Sequence, residues 1–311
     1  MADNPSSTEA SGVWSLDDNY NAEAGDNWPI APSPIIASGG TVTTDGDYKI
    51  HTFTSSGTFT VTDIGLNGGG IDFLVVAGGG GGGTGYYAAG GGAGGLRTSY
   101  GSTSGGGASA ESVFTPTATA YSIVVGGGGS ANTQGSASSG LGISSTGGGY
   151  GGYYGVGTGG SGGSGGGGGH ANTATTSGQA GGARIVGQGY AGLSASGGVC
   201  GGGGGAGSTG ATRPNGGVGL AVAITGTSTY YAGGGGSTWN ANTHYGASYF
   251  GTGGQGGGGD GMYWTGSGCA QGGSAGTANT GGGGGGSQWT CPVGHSGGSG
   301  IVILRYKYQN L

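Results

Sequence analysis

The pattern of hydrophobic and polar positions predicts β-strands in five stretches, three at the flanks of a glycine-rich body and two within it. YKIHTFTSSGTFTV (residues 48–61) alternates apolar and polar side chains around a Ser-Gly pair, which predicts a β-hairpin. IDFLVVAG (71–78) and GIVILRYKY (300–308) are continuous apolar runs, which predict strands buried on both faces. YSIVVG (121–126) and LAVAITG (220–226) predict two further short strands.

These strands predict a mostly β protein with little or no α-helix. The strands near 48–61, 71–77, 121–125 and 301–308 would form a small β-sandwich. Because its first and last strands are far apart in sequence, we expect the two flanks of the body to meet there. The connections between the glycine runs would then project from the opposite end.

The body between these strands is dominated by glycine. The chain has 96 Gly in 311 residues, and only ten of them precede residue 78. The glycines form runs joined by linkers that are rich in Tyr, Trp, Asn, Ser and Thr. The runs lie at Gly78–Gly83, Gly90–Gly95, Gly126–Gly129, Gly147–Gly152, Gly159–Gly169, Gly201–Gly207, Gly233–Gly236, Gly253–Gly259, Gly281–Gly286 and Gly297–Gly300.

Such runs can be ordered only through their main chain, because glycine has no side chain to bury and loses the most backbone entropy on folding. An extended threefold helix of polyproline II geometry has no internal hydrogen bonds, so its N–H and C=O groups point outward in three directions. Glycine keeps the N–H that proline lacks, and rods of it can bond to one another side by side. We therefore predict a sandwich or bundle of polyglycine II rods, about ten in number if each run is one rod.

Order is favoured over disorder by the aromatic residues and the recurrent β-branched strands, which flexible linkers lack. The chain has 17 Tyr, 5 Trp and 5 Phe. Most of the charge lies at the flanks: ten of the twelve carboxylates lie at or before Asp72, and the body is nearly uncharged. Six basic residues are too few to neutralise a nucleic-acid backbone, so no nucleic-acid partner is expected.

The combination of TFTSSGTFTV, FLVVAGGGGGG, a glycine-rich body and a terminal GIVILRY resembles the glycine-rich domain of bacteriophage tail-fibre and virion proteins. The short rods with aromatic loops are similar to the polyglycine-sandwich tip adhesins of T-even-like phages. The segment SGVWSLDDNYNAEAGDNWP (11–29) resembles a segment of cyanophage structural proteins. The resemblance implies a virion protein, at a tail fibre or the particle surface, whose loops between rods bind a receptor on the host. The receptor would be a surface glycan or an outer-membrane protein.

The aromatic loops are the candidate receptor-binding residues, since Tyr and Trp provide rigid contact area that carries a polar group. The same rings could instead pack over the rods and supply the burial that the rods lack. The residues predicted to bind the receptor are Trp239, His244, Tyr245, Tyr249, Tyr263, Trp264, Tyr153 and Tyr154, and the longest loop, STWNANTHYGASYFGTG, is the first choice.

The N-terminal residues 1–40 form a separate segment, and residues 41–311 form the glycine-rich domain. The segment is too short for a core of its own, and we predict that Trp14 and Trp28 anchor it to other virion proteins. It could instead lie as a strap on its own body. Whether copies of the chain assemble with each other stays open.

Enzymatic chemistry is not expected. Glu111 and Asp260 are the only carboxylates after Asp72, which makes paired catalytic acids hard to assemble. Gly-x-Gly-x-x-Gly matches carry no meaning in such a sequence, and no helix-length segment follows any of them. Cys200, Cys269 and Cys291 have no metal-site spacing, and one disulfide or free buried thiols are equally compatible with them. We expect no cofactor, no metal and no membrane insertion. The alternatives to an adhesin are a capsid decoration or fibre subunit without receptor binding, and an ice-binding or surface-layer protein.

Overall fold

A computed structural model describes residues 33–65, 69–170, 178–210, 212–238, 250–262, 272–288 and 294–309. In these ranges the regular structure is β, with one short 3-10 turn at Gly105–Gly107 and no α-helix, as the sequence predicts. The strands are β1 (Ile36–Ser38), β2 (Thr41–Asp45), β3 (Tyr48–Phe53), β4 (Gly57–Asp63), β5 (Asp72–Val76), β6 (Leu96–Thr98), β7 (Ala120–Ile123), β8 (Ser138–Gly140), β9 (Ile143–Ser145), β10 (Leu220–Val222), β11 (Thr229–Tyr231) and β12 (Ile301–Lys307).

The strands form four antiparallel sheets, of which the largest has the order β2-β3-β12-β5-β6. Its central strand β12 is the last of the chain and pairs with β3 and β5, so the two flanks of the glycine-rich body meet, as predicted. A second sheet has the order β1-β4-β7, and the pairs β8-β9 and β10-β11 are short hairpins.

The five-stranded sheet is buried on both faces, which explains the continuous apolar sequences of β5 and β12. One face packs on the β1-β4-β7 sheet through a core that includes Phe59, Phe73 and Val302. The other face packs on the β10-β11 hairpin and on glycine-rich segments through a core that includes Leu74 and Ile303. The two sheets form the sandwich that the sequence predicts.

The hairpin predicted over residues 48–61 is wrong. Its two arms, β3 and β4, belong to different sheets: β3 pairs with β2 and β12, and β4 pairs with β1 and β7. The reason is that Phe53 and Phe59 both enter the core between the sheets, so residues 54–56 cross from one layer to the other. The true hairpin joins β2 to β3 around Gly46, whose φ is +54°.

Residues 78–83 show how the glycine runs are held. Their N–H groups donate to three neighbouring segments in strict rotation, with N···O distances of 2.8 to 3.0 Å. Gly78 and Gly81 donate to residues 133–136, Gly79 and Gly82 to residues 295–298, and Gly80 and Gly83 to residues 89–92. A period of three is what a threefold extended helix requires.

The carbonyl groups of the same rod rotate among three other neighbours. They accept from residues 148–151, from residues 129–132 and from residues 284–287, again with a period of three. The rod is therefore surrounded by six others, three that accept from it and three that donate to it. This is the polyglycine II arrangement that the sequence predicts, and neighbouring rods run in both directions.

At least five rods are enclosed in this way, at residues 78–83, 90–95, 164–169, 233–238 and 281–287. Glycine is needed in them because the rods approach so closely. A Cβ on Gly80 would collide with the carbonyl group of Gly149, and one on Gly235 would collide with that of Gly284. Gly127, on an outer rod, faces open space instead, because a Cβ there would meet no atom.

Two details of the predicted rods are corrected by the structure. The runs at 159–169 and 253–259 are each two rods with a turn between them: Gly166 donates to Gly160, and Gly261 donates to Gly251. Further rods consist of mixed sequence that glycine content did not mark, at residues 133–136, 179–183, 190–195, 214–219 and 272–277. The lattice thus contains more than ten rods. It joins the sandwich directly, because the rod at 78–83 continues β5 and the one at 232–238 continues β11.

Candidate binding surface

The rods run between the sandwich and the opposite side of the molecule. That opposite side is called the distal end. The rod at 78–83 leaves the sandwich at β5, and the ends of its parallel neighbours lie beside its far terminus. Nine segments are flanked by rods that end at this side: the described residues 84–88, 130–133, 153–157 and 194–199, the segment 211–214, of which 212–214 are described, and residues 171–177, 239–249, 263–271 and 289–293, which lie outside the described ranges. They are called the distal connections below.

The connection 84–88 is fixed by polar contacts on several sides. The Thr84 N–H donates to Oδ1 of Asn132 at 2.9 Å, and Nδ2 of Asn132 donates to Oγ1 of Thr84 at 2.7 Å. The Gly85 N–H donates to Oγ of Ser287 at 3.0 Å, and the Tyr154 N–H donates to the Thr84 carbonyl at 3.3 Å. Three other segments therefore hold this loop in place.

The fully buried Cys200 holds the same loop from inside the lattice. Its thiol donates to the carbonyl oxygen of Tyr87, with an Sγ···O distance of 2.8 Å, and Tyr87 has a φ of +51°. Burial raises the pKa of the Cys200 thiol to about 12, and the hydrogen bond from Thr238 opposes this rise. The thiol is therefore protonated at neutral pH and acts as a hydrogen-bond donor. Thr238 also donates to the Ala88 carbonyl at 3.1 Å, next to this contact.

Two pairs of tyrosine rings lie toward this end and are together called the tyrosine platform: Tyr86 with Tyr154, and Tyr150 with Tyr153. The ring centroids of Tyr86 and Tyr154 are 5.3 Å apart at an interplanar angle of 44°, and those of Tyr150 and Tyr153 are 6.0 Å apart. Tyr154 is 47 % exposed, and Val156 beside it is 41 % exposed. The platform is thus a partly open aromatic surface on a fixed main chain.

The turn that carries Tyr153 and Tyr154 is locally closed. The N–H groups of Val156 and Gly157 both donate to the carbonyl of Tyr153, at 3.1 and 2.8 Å. Gly155 has a φ of +95°, a conformation that residues with a Cβ rarely adopt. The glycine in YYGVG therefore permits the tight turn that presents both rings.

The structure describes two of the eight residues predicted to bind a receptor. Tyr153 and Tyr154 lie at the distal end, on the platform. Trp239, His244, Tyr245, Tyr249, Tyr263 and Trp264 lie outside the described residues, as do Trp14 and Trp28 of the N-terminal segment. The rods on both sides of 239–249 and 263–271 end at the distal end, because Gly251 donates to Ser237 and Ser274 donates to Asp260.

Sequence reasoning missed the polar residues that support the platform. Asn132, Cys200 and Ser287 are far apart in sequence, and only the folded lattice brings them to the 84–88 loop. Two further buried atoms near this end, Oε1 of Gln288 and Nε2 of His295, have no hydrogen-bond partner. Burial also lowers the pKa of His295.

The described part of the chain contains no cluster of three or more His, Cys, Asp or Glu side chains that could hold a metal ion. The same part contains no helix with the length and apolarity needed to span a bilayer. The two ion pairs described there are structural and lie near the sandwich. Arg305 donates to Asp45 at 2.8 Å and to the Ile224 carbonyl at 3.0 Å, and Arg97 binds Glu111 through two nitrogens.

Comparison with known families places the chain. Residues 54–307 match the family of the glycine-rich domain, which spans most of the chain, and the protein belongs to this family. The match begins within the β3-β4 crossing and ends with β12, so it covers the greater part of the sandwich and the whole lattice. A search of curated proteins gave no significant match.

Proposed function

We propose that the protein is a structural component of a bacteriophage particle, at a tail fibre or the particle surface, and that its distal connections bind a receptor on the host cell. The observation that carries the proposal is the separation of the two ends. Main-chain bonds hold the rods, and the rods that flank nine connections of varied sequence all end at one side of the molecule. Because the lattice does not depend on their side chains, those connections can change without loss of the fold.

The position of the N-terminal segment fits the same proposal. The described chain begins at Ser33, beside Gly65 and the β1-β4-β7 sheet, which is the end opposite to the distal connections. The N-terminal segment, residues 1–40, would attach the chain to other virion proteins there, with Trp14 and Trp28 as anchors. Attachment and recognition would thus lie at opposite ends. The sequence resemblance to phage tip adhesins supports this arrangement.

The test uses fluorescently labelled full-length protein and the host of the phage that carries it. We expect the protein to label susceptible cells and to block phage adsorption in proportion to its concentration. The double variant Trp239→Ala/Tyr245→Ala should weaken both effects, whereas Tyr230→Ala, at the sandwich end, should not. If the protein occurs in hundreds of copies on the capsid and labels no cells, it is a decoration or fibre subunit instead.

One observation favours the ice-binding alternative. Adjacent outer rods carry small, exposed or half-buried side chains three residues apart. They are Thr158 and Ser161, Ala180 and Ala183, and Ala191 and Ser194. Measurement of thermal hysteresis distinguishes the two functions: an adhesin should give none, and a measurable freezing gap would favour ice binding.

A further inference from the structure

We infer that the tyrosine platform binds an uncharged saccharide. The inference names the ligand class of the surface to which the proposed function assigns receptor binding, and it rests on that function. The first observation is the distribution of charged residues. The nine distal connections contain Arg213 as their only charged side chain, in the described and the remaining residues alike. Recognition of phosphate or carboxylate groups depends on clustered Arg and Lys, so this end is unsuited to an anionic polysaccharide.

Apart from Arg213, and from Asp260 in the rod that leads to the 263–271 connection, where its Oδ1 accepts from the Gly253 N–H, the described charged residues lie toward the other end of the molecule. Asp45, Asp72, Arg97, Glu111 and Arg305 are in or beside the five-stranded sheet. The distal connections therefore offer rings, hydroxyls and amides with a single formal charge, that of Arg213. A neutral ligand with both an apolar face and many hydroxyl groups matches that chemistry, and a sugar ring has both features.

The geometry of the platform suits a sugar ring. The Tyr86 and Tyr154 rings are inclined at 44° with centroids 5.3 Å apart, close enough for one ring of a saccharide to contact both. The hydroxyl groups of Tyr150, Tyr153 and Tyr154 make no hydrogen bond within the described part of the chain, so they are free to bond to the ligand. A small site of aromatic surface with a few polar groups is typical of small-ligand recognition.

The platform is also pre-organised. The Thr84–Asn132 pair, the Gly85–Ser287 bond and the Cys200–Tyr87 bond fix the main chain beneath the rings. Tyrosine has few rotatable bonds, so little conformational entropy is lost when a ligand binds. A protein partner would need about 800 Å² on each side for a stable interface. The platform is only four rings wide, which favours a small ligand over a protein.

The experiment is a screen of full-length protein on an array of neutral, sialylated and phosphorylated oligosaccharides, followed by calorimetric titration of the best neutral ligand. We expect neutral oligosaccharides to bind. Tyr154→Ala should weaken binding at least about fivefold, and Tyr154→Phe should weaken it less because the ring remains. Tyr230→Ala is the matched control, since Tyr230 is a 37 % exposed tyrosine of β11 at the sandwich end, and it should leave affinity unchanged.

Ionic strength provides a second readout. Binding of a neutral sugar should change less than about twofold between low and high salt, since no charges are screened. Binding confined to anionic sugars, a steep loss with salt, or equal affinities for Tyr154→Ala and Tyr230→Ala would each overturn the inference. Absence of any array binding would also overturn it.

Treated host cells separate this inference from the proposed function. If periodate oxidation of surface glycans abolishes labelling and protease treatment does not, a saccharide receptor is supported. If protease abolishes labelling and periodate does not, the receptor is a protein. The inference of a saccharide ligand is then wrong, and the adhesin function is still supported. If the protein binds sugars on the array but labels no cells, the adhesin function is contradicted and the saccharide site is still supported.

Discussion

The sandwich packs through its side chains, whereas the glycine lattice packs through its main chain. In the sandwich, strands spaced by main-chain bonds bury apolar side chains such as Leu74 and Phe73 between layers. In the lattice, the main chain supplies both the bonding and the contact surface, and each enclosed rod bonds to six others. The sandwich is therefore sensitive to lost side-chain volume, and the lattice to added volume.

The comparison also explains why the two regions occur together. Each lattice hydrogen bond contributes about 1 kcal/mol net, whereas ordering a residue costs about 1–2 kcal/mol, so a single rod is unstable. The sandwich provides the missing apolar burial and fixes the starting points of the rods. Ala93, Ala206 and Ala232 of the lattice share a core with Leu74 and Ile303 of the sheet, so the two regions are coupled at their boundary.

The largest effect is expected from added volume inside the lattice. Gly80→Val should destabilise the protein by more than about 4 kcal/mol or prevent folding, because the new side chain collides with the Gly149 main chain, which is itself bonded. The matched control is Gly127→Val on an outer rod, where a Cβ meets nothing, and its effect should stay within about 0.5 kcal/mol. Urea denaturation of both variants measures the difference. Equal effects would contradict the close-packed lattice.

Removal of volume from the sandwich should have the next largest effect. Leu74→Ala is expected to lower the free energy of unfolding by about 2–5 kcal/mol, since Leu74 is fully buried. Because its core includes lattice residues, sheet and lattice should still unfold in one transition when hydrogen exchange of the β12 amides and of the amides of residues 78–83 is followed across a denaturant series. Two separate transitions would show that the regions are independent. Val42→Ala, at a half-exposed site in β2, is the control and should change stability little.

Acidification should have a smaller effect that distinguishes the two regions. His51 is buried in the sandwich, where Nδ1 donates to the Gly39 carbonyl at 2.7 Å and Nε2 accepts from the Tyr306 hydroxyl at 3.1 Å. Burial, aided by the charge of Lys49, lowers its pKa below the ordinary 6.5, although the Gly39 bond acts the other way. Its stabilisation is therefore complete above pH 6.5 and is lost as the pH falls through the folded-state pKa.

Burial also lowers the pKa of His295 in the lattice, but His295 is less buried than His51. The free energy of unfolding, measured by denaturant titration across this pH range, should fall with pH in the native protein. We expect His51→Gln to flatten that dependence more than His295→Gln does. If His295→Gln flattened the pH dependence more than His51→Gln did, the dependence would have to be assigned to the lattice and not to the sandwich.

The sequence predicts the lattice and most of the sandwich because both follow from local signals. Continuous apolar runs at β5 and β12 indicate burial on both faces, and glycine runs leave only main-chain bonding. The β3-β4 crossing was not predictable, since TFTSSGTFTV has the same alternation whether its arms pair or enter two layers. The mixed-sequence rods were missed for a related reason: AGGA at 180–183 has its alanines three residues apart, a spacing that becomes meaningful only beside other rods.

The sequence predicted the type of site, a loop with aromatic residues, but not the polar residues that hold that loop in place. Tyr153 and Tyr154 stand out as a pair in a glycine-rich turn, and they lie at the distal end. The bonds that position their neighbours, from Asn132, Ser287 and Cys200, join residues separated by 48 to 202 positions from the loop they hold. No local pattern marks such residues, because each is a single polar side chain in a sequence full of them.

Hydrogen–deuterium exchange of the intact protein tests the main-chain lattice most directly. Amides of residues 78–83 and 90–95 donate to neighbouring rods, so they should exchange as slowly as those of β5 and β12, despite the lack of side chains. Amides of Gly127 and Gly128 on an outer rod have no acceptor within the described residues and should exchange quickly. Rapid uptake throughout residues 78–95, with protection confined to the strands, would contradict the lattice.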